Sequence, residues 1–186
     1  MRAALKPKSN FLTVILTPEE IEDATQVGKA RADESFENNR EGRNGQPQDE
    51  RMWDNHIQGA LAEQAVAKKF NKPWNHGVNT FREVEDVDNV GVRWTGQYSG
   101  PLYLRDWDKD KGIMVLIVGG PEEYSIRGWI SVKDGKRLGT WRQPDPSRPG
   151  CWCVSQNLLN KLPHFDENKL DAPMSVLLSR FSGFPD

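Results

Sequence analysis

Cysteine is scarce in this chain: Cys151 and Cys153 are its only two. At that spacing both thiols project from one face of a strand, but two ligands do not close a structural zinc site and no second pair exists. Two reduced thiols in a strand is the expectation. A long apolar run is missing as well, so nothing approaches the roughly 20 residues that span a bilayer. The opening stretch from Met1 to Lys8 has no apolar segment of the secretory type. These absences predict a cytoplasmic protein with no membrane partner. Net charge is nearly absent too: 25 Lys and Arg against 27 Asp and Glu give a formal -2, with an isoelectric point near 6.0. Any contact with nucleic acid must then rest on a local basic patch. No phosphate-binding loop, dinucleotide fingerprint or nucleophile elbow occurs, which leaves a plain small-molecule enzyme without a motif.

What is present fits one domain over 1–186, since 186 residues suffice for a full core but not for two comfortable ones. Seven tryptophans supply either core area or stacking surface, and their number alone does not choose. Thr17-Pro18-Glu19-Glu20 reads as a helix start, with Thr17 as N-cap, Pro18 in the first turn and Glu20 closing a capping box. Asn39, Gly42, Asn44, Gly45 and Pro47 make 38–48 a surface loop. A second helix begins near Asp49 or Asp54 and ends around Phe70, before Asn71-Lys72-Pro73. Val90 to Thr95 and Leu102 to Arg105 read as a β-hairpin, and Ile113 to Val118 as a strand buried on both faces. Tyr124 to Ile130 is another strand, and Ser131 to Leu138 a short turn of helix. Gly139 to Gly150 is too rich in Pro and Gly for regular structure. Cys151 to Val154 is a last strand, Gln156 to Leu162 a short helix, and the rest a loosely packed tail.

The second helix carries the most telling residue. Glu63 lies in the small-residue run Gly59-Ala60-Leu61-Ala62-Glu63-Gln64-Ala65-Val66-Ala67, so its neighbours three and four positions away are Gly59, Ala60, Val66 and Ala67. That face is shaped for close packing and holds nothing to pair with a carboxylate. An unpaired buried carboxylate costs several kcal/mol, so Glu63 needs a partner from elsewhere. A metal ion in a cleft is one candidate, and an arginine of the first helix such as Arg31 is another. Downstream, the acidic run from Glu83 to Asp88 feeds the strand Val90-Gly91-Val92-Arg93.

A helix carboxylate, an acidic turn and a basic strand residue in this order resemble the PD-(D/E)XK nuclease superfamily. The segments Gly59–Ala67, Asn79-Thr80-Phe81, Asp86–Arg93 and Leu102–Arg105 with Asp108-Lys109-Asp110 are similar to small phage-borne nuclease-like proteins. The resemblance covers about 54–160. It implies an α/β fold, with a mixed central β-sheet flanked by helices, an N-terminal helix and a nuclease-like core. It also implies a Mg²⁺-dependent nuclease or nuclease-like DNA-binding protein of phage origin, with Mn²⁺ able to replace Mg²⁺. Glu63 and Asp86 would be catalytic metal ligands with Asp88 beside them, and Arg93 would stand at the superfamily's lysine. Such metals polarise the phosphate and activate water. The second acidic position falls on Gly91, which has no side chain, so Asp88, Glu85 or Asp106 must supply an oxygen or the site is degenerate. Arg93 keeps the charge but gives up an easily deprotonated group.

Each residue also has a structural reading: Asp86 and Asp88 as turn residues, Arg93 as a solvent-face strand residue, His56 as a structural histidine near a helix start. Between Ile126 and Gly150 the balance is basic, with Arg127, Lys133, Lys136, Arg137, Arg142 and Arg148 among Trp129 and Trp141. This stretch suits phosphate contacts and base stacking by Arg127, Arg137, Trp141 and Arg142, or an ordinary charged surface. The rival to a nuclease is a catalytically degenerate module on the same scaffold that binds a protein or a nucleic acid. Gly91 favours it.

Overall fold

The computed structural model describes residues 11–38, 50–78, 86–143, 146, 149–162 and 173–179. The loop expected over 38–48 lies outside them except for Asn38, as do Glu83 and Glu85. The elements in chain order are β1 (Leu12–Val14), α1 (Pro18–Glu37), α2 (Glu50–Lys69), β2 (Gly91–Thr95), β3 (Leu102–Arg105), β4 (Ile113–Gly120), β5 (Glu123–Ser131), α3 (Val132–Leu138), β6 (Thr140–Arg142), β7 (Cys151–Val154) and α4 (Met174–Ser179). A single 3-10 turn, Gln156–Leu158, stands where a short helix to Leu162 was expected.

Helix α1 starts as its sequence demands. The Thr17 N–H donates to Glu20 Oε2 at 2.7 Å and the Glu20 N–H to Thr17 Oγ1 at 3.3 Å. Its buried face is Ala24, Gly28, Ala32 and Ser35, a stripe of small residues that lets α2 approach closely. The contact is tightest at Gly28, where a Cβ would sit 2.5 Å from the Ile57 Cα. Gly59, expected to allow close approach, faces open space, so the glycine that matters lies on the other helix.

The strands form two sheets rather than the one expected. The larger runs β1-β5-β4-β2 and is mixed, with β4 antiparallel to β5 and parallel to β2. The smaller is antiparallel, β3-β7-β6. Strand β4 is buried along Ile113 to Val118, as its unbroken apolar run predicts. Val115 and Ile117 enter a core with Ala60, Ala65 and Val66 of α2, while Met114, Leu116 and Val118 enter a second core with Leu102, Leu104 and Val154 of the smaller sheet. Helices α1 and α2 thus cover one face of the larger sheet, and the smaller sheet with α3 covers the other.

Three further expectations are corrected. Val90 to Thr95 and Leu102 to Arg105 are not a hairpin: β2 joins β4, and β3 crosses to the smaller sheet. Leu102 and Leu104 are fully buried while Tyr103 between them is exposed, so β3 has one apolar face and lays it over Leu116 and Ile130. The stretch after Gly139 holds a strand after all, because β6 pairs with β7 and Trp141 meets Trp152 edge-on at 5.1 Å. The tail is not loosely packed throughout, since Met174 and Leu178 of α4 belong to the helix-side core.

Candidate functional site

Glu63 sits on the face of α2 turned toward α1 and the larger sheet, 6% exposed. The guanidinium of Arg31, from α1, meets it with both forks: Nη1 donates to Oε1 and Nη2 to Oε2, each at 2.8 Å. The Trp74 Nε1–H donates to Oε2 at 3.1 Å, and the Arg31 Nε–H goes to the Gly77 carbonyl at 2.9 Å. A bidentate guanidinium–carboxylate pair with an indole donor satisfies the charge that no neighbour on α2 could. Trp74 was not singled out from the sequence. Its signal was the helix stop at Asn71-Lys72-Pro73, which turns the chain back across the end of α2.

Asp86 joins this centre through its field. An isolated bridge between Trp74 and Val87 brings the acidic turn beside the end of α2, and Asp86 Oδ2 accepts the Val92 N–H at 2.7 Å. Burial pushes the Glu63 carboxyl above its ordinary range and the charge of Asp86 adds to the shift, against the lowering pull of Arg31 and Trp74. Burial also opposes the charge on Arg31, but Glu63 and Asp86 outweigh it and raise its pKa. Asp86 thus acts through its charge on both members of the Arg31–Glu63 pair.

Asp88 and Arg93 are not brought to this centre. Asp88 and Asn89 adopt positive φ, 40° and 60°, between Val87 and Val90, which exchange hydrogen bonds at 3.1 and 2.9 Å in a tight two-residue turn. The turn directs Asp88 Oδ2 to the Met174 N–H at 2.9 Å and to Lys72 at 3.4 Å, so it latches α4. Arg93 leaves β2 on the face opposite Val92 and Trp94, both of which pack on the helix-side core. Its Nη2 donates to Asp108 Oδ1 at 2.9 Å, and Asp108 Oδ2 accepts the Arg105 N–H at 2.8 Å. The larger sheet thus lies between Arg93 and Glu63.

This donor set does not fit a divalent cation. Glu63 has both oxygens on Arg31, Gly91 has no donor, Asp88 faces α4, and among the described residues no group of three or more His, Cys, Asp or Glu is arranged to hold a metal. An open cleft of about 410 Å³ lies next to Trp74, lined in part by Glu20, Asp23, Lys68, Lys72 and His76. Its polar side chains are paired: Lys68 with Glu20 at 2.6 Å, His76 with Asp23 at 3.0 Å and Lys72 with Asp88 at 3.4 Å.

The basic residues divide. Arg137 is hydrogen-bonded to Asp134 at 2.8 Å on the surface of α3. Arg127 occupies a β-bulge, where Leu116 pairs with Gly128 and Ile117 with Ile126, so that Arg127 is left over. Gly128 has φ of 149° there, and a Cβ on it would lie 2.6 Å from the Asn160 carbonyl oxygen. The bulge aims Arg127 at two rings, its guanidinium carbon 4.2 Å from the centroid of Phe11 and 5.4 Å from that of Tyr98. Trp141 and Arg142 stand on β6, both exposed. Helices α1 and α2 are too polar to cross a membrane, and no described helix is long and apolar enough to do so. The chain has no significant match among protein-family models, curated proteins or solved structures.

Proposed function

We propose that this chain is a catalytically degenerate, nuclease-like module that binds nucleic acid without cleaving it. The observation that carries the reading is the Arg31 fork on Glu63, with the charge of Asp86 directed at the same guanidinium. A protein cation of fixed charge stands where phosphodiester hydrolysis would need an exchangeable divalent ion, and its hydrogen bonds occupy the oxygens that such an ion would use. Arg93, at the superfamily's lysine position, serves Asp108 on the far face of the sheet. What supports nucleic acid as the partner is the exposure of Trp141 and Arg142 together with the arginine stack at Arg127. DNA is the expected partner.

The test pairs a binding assay with a cleavage assay on the same DNA, in Mg²⁺ and in Mn²⁺. The expected result is salt-dependent binding, no cleavage in either metal, and no heat of metal binding by calorimetry. Cleavage that needs Mg²⁺ and disappears in Glu63→Gln would overturn the reading and restore a Mg²⁺-dependent nuclease. Absence of DNA and RNA binding at about 50 mM salt, where non-specific contacts are strong, would leave a protein partner for the same scaffold.

A further inference from the structure

The smaller sheet has one face in the core and an outer face on which, among the described residues, Tyr103, Thr140 and Arg142 are exposed while Cys151 is buried. Register fixes which residues share each face, because directly paired residues of an antiparallel sheet point the same way. Leu102 pairs with Val154, and Leu104 with Trp152, on the inner side. The outer side then holds two rows: Tyr103, Cys153 and Thr140, and beside them Arg105, Cys151 and Arg142. Neither row contains a carboxylate. Tyr103 is 42% exposed and Arg142 is exposed, whereas Trp141, paired with Trp152, belongs to the inner row.

Arg105 is the unusual member. It is half-buried, yet its Nη1 makes no hydrogen bond to any described residue. Burial lowers its pKa, with the charge of Arg93 also pressing that way. Asp108, the nearest carboxylate, takes the backbone N–H of Arg105 and spends its other oxygen on Arg93. A buried donor on a charged group that lacks an acceptor is costly, and no residue sharing the outer face with Arg105 supplies a carboxylate to the guanidinium. Between the two guanidiniums lies a floor of thiols. Burial raises the Cys153 pKa and Cys151 beside it adds to the rise, against the lowering pull of Arg142 and Arg105.

We infer that the outer face of β3-β7-β6 is a platform for single-stranded nucleic acid, with a base stacked on Tyr103 and backbone phosphates held by Arg105 and Arg142. A ring standing on an open sheet can meet only the face of a base, and base faces are free only in an unpaired strand. Two arginines in the row beside that of the ring match successive phosphates running past the stacked nucleotide. The inference rests on the nucleic-acid reading above and narrows it to one surface and one form of ligand. Tyr103 and Arg105 are new to it.

The experiment is fluorescence anisotropy of the full chain with a labelled oligothymidylate of about 16 nucleotides, the upper range of a single-strand site, against a duplex of the same length. The wild type should prefer the single strand. Tyr103→Ser should weaken single-strand binding about tenfold, the scale of one lost stack, and Tyr103→Phe should restore it. Arg142→Gln should flatten the slope of log K against log salt by about 0.7, the share of one phosphate on a single strand. Tyr103 and Arg142 are exposed, so unchanged thermal unfolding should accompany these effects. Single-strand binding unaffected by Tyr103→Ser and Arg142→Gln would overturn the platform while leaving the nucleic-acid reading in place. A wild type that binds duplex in preference would also overturn it. No binding of either form would overturn both.

Discussion

The larger sheet is covered on its two sides by partners of different character. On the helix side, α1 and α2 close over it with small residues, and the buried charge of Glu63 finds its counter-charge inside: Arg31 and Glu63 are 14% and 8% exposed at their side chains. On the other side the smaller sheet presses Leu102, Leu104 and Val154 inward and leaves Tyr103 and Arg142 of its back exposed, with Arg105 Nη1 short of an acceptor among the described residues. In the first region the carboxylate of Glu63 is satisfied by its own chain. In the second, Arg105 Nη1 has no acceptor among the described residues. A carboxylate in a small-residue helix draws the eye to the helix side, yet its hydrogen bonds are already made, and a guanidinium donor without an acceptor lies on the sheet that the sequence scarcely advertises.

The comparison is broken most directly at the ion pair. Removing one partner strands a buried charge, so Glu63→Ala or Arg31→Ala should each cost about 3–5 kcal/mol in urea denaturation, whereas Arg31→Met combined with Glu63→Leu should recover most of the loss. Single variants that lose less than about 1 kcal/mol would place the pair with ordinary surface bridges and reopen the centre to an outside ligand.

Gly28→Ala tests the closeness of the helices. A Cβ there meets the Ile57 backbone at 2.5 Å and nothing flexible can yield, so α1 and α2 must part. The expected loss is about 1–3 kcal/mol. Gly59→Ala, on the open side, should be neutral or slightly stabilising through helix propensity, by up to about 1 kcal/mol. Equal effects at the two glycines would contradict the packing described.

Asp88→Ala should release α4 from the turn at a cost of about 1 kcal/mol, the scale of one charge-assisted hydrogen bond at a half-exposed site. Hydrogen exchange should quicken at 174–179 and stay unchanged in α2. Faster exchange in α2 would tie Asp88 to the Glu63 centre instead.

The smallest effect belongs to Asp134. The Arg137 hydrogen bond holds its carboxyl below the ordinary value and Ser131 helps, against the opposing effect of burial. A carboxylate with a depressed folded-state pKa stabilises the fold above its unfolded value and loses that contribution as pH falls through the folded one. Asp134→Asn should therefore cost a few tenths of a kcal/mol at pH 7, given the exposure of Arg137, and nothing once the pH is well below the ordinary Asp range. A difference that persists in acid would assign the loss to the Ser131 cap rather than to charge.

Local chemistry was legible wherever neighbours in sequence are neighbours in space. Thr17 and Glu20 are one helical turn apart, and the capping box followed; Ile113 to Val118 is apolar at every position, and a strand buried on both faces followed. The same logic showed that Glu63 must have a distant partner, and Arg31 was among the candidates. Choosing between that arginine and a metal required knowing which faces of α1 and α2 meet, because the two residues are 32 positions apart. Strand pairing was beyond reach for a related reason. Leu102 to Arg105 alternates correctly for any half-buried strand, and alternation says which side is apolar without saying which sheet offers the matching surface. The sequence by itself determined the capped first helix, the central strand and the need to neutralise Glu63. Only the tertiary structure decided that an arginine meets that need, that Arg93 faces away from it, and that Tyr103, Arg105 and Arg142 share an open face. Those outcomes depend on contacts between segments far apart in the chain, whose energies are fixed by the packing of whole faces rather than by any one residue's neighbours.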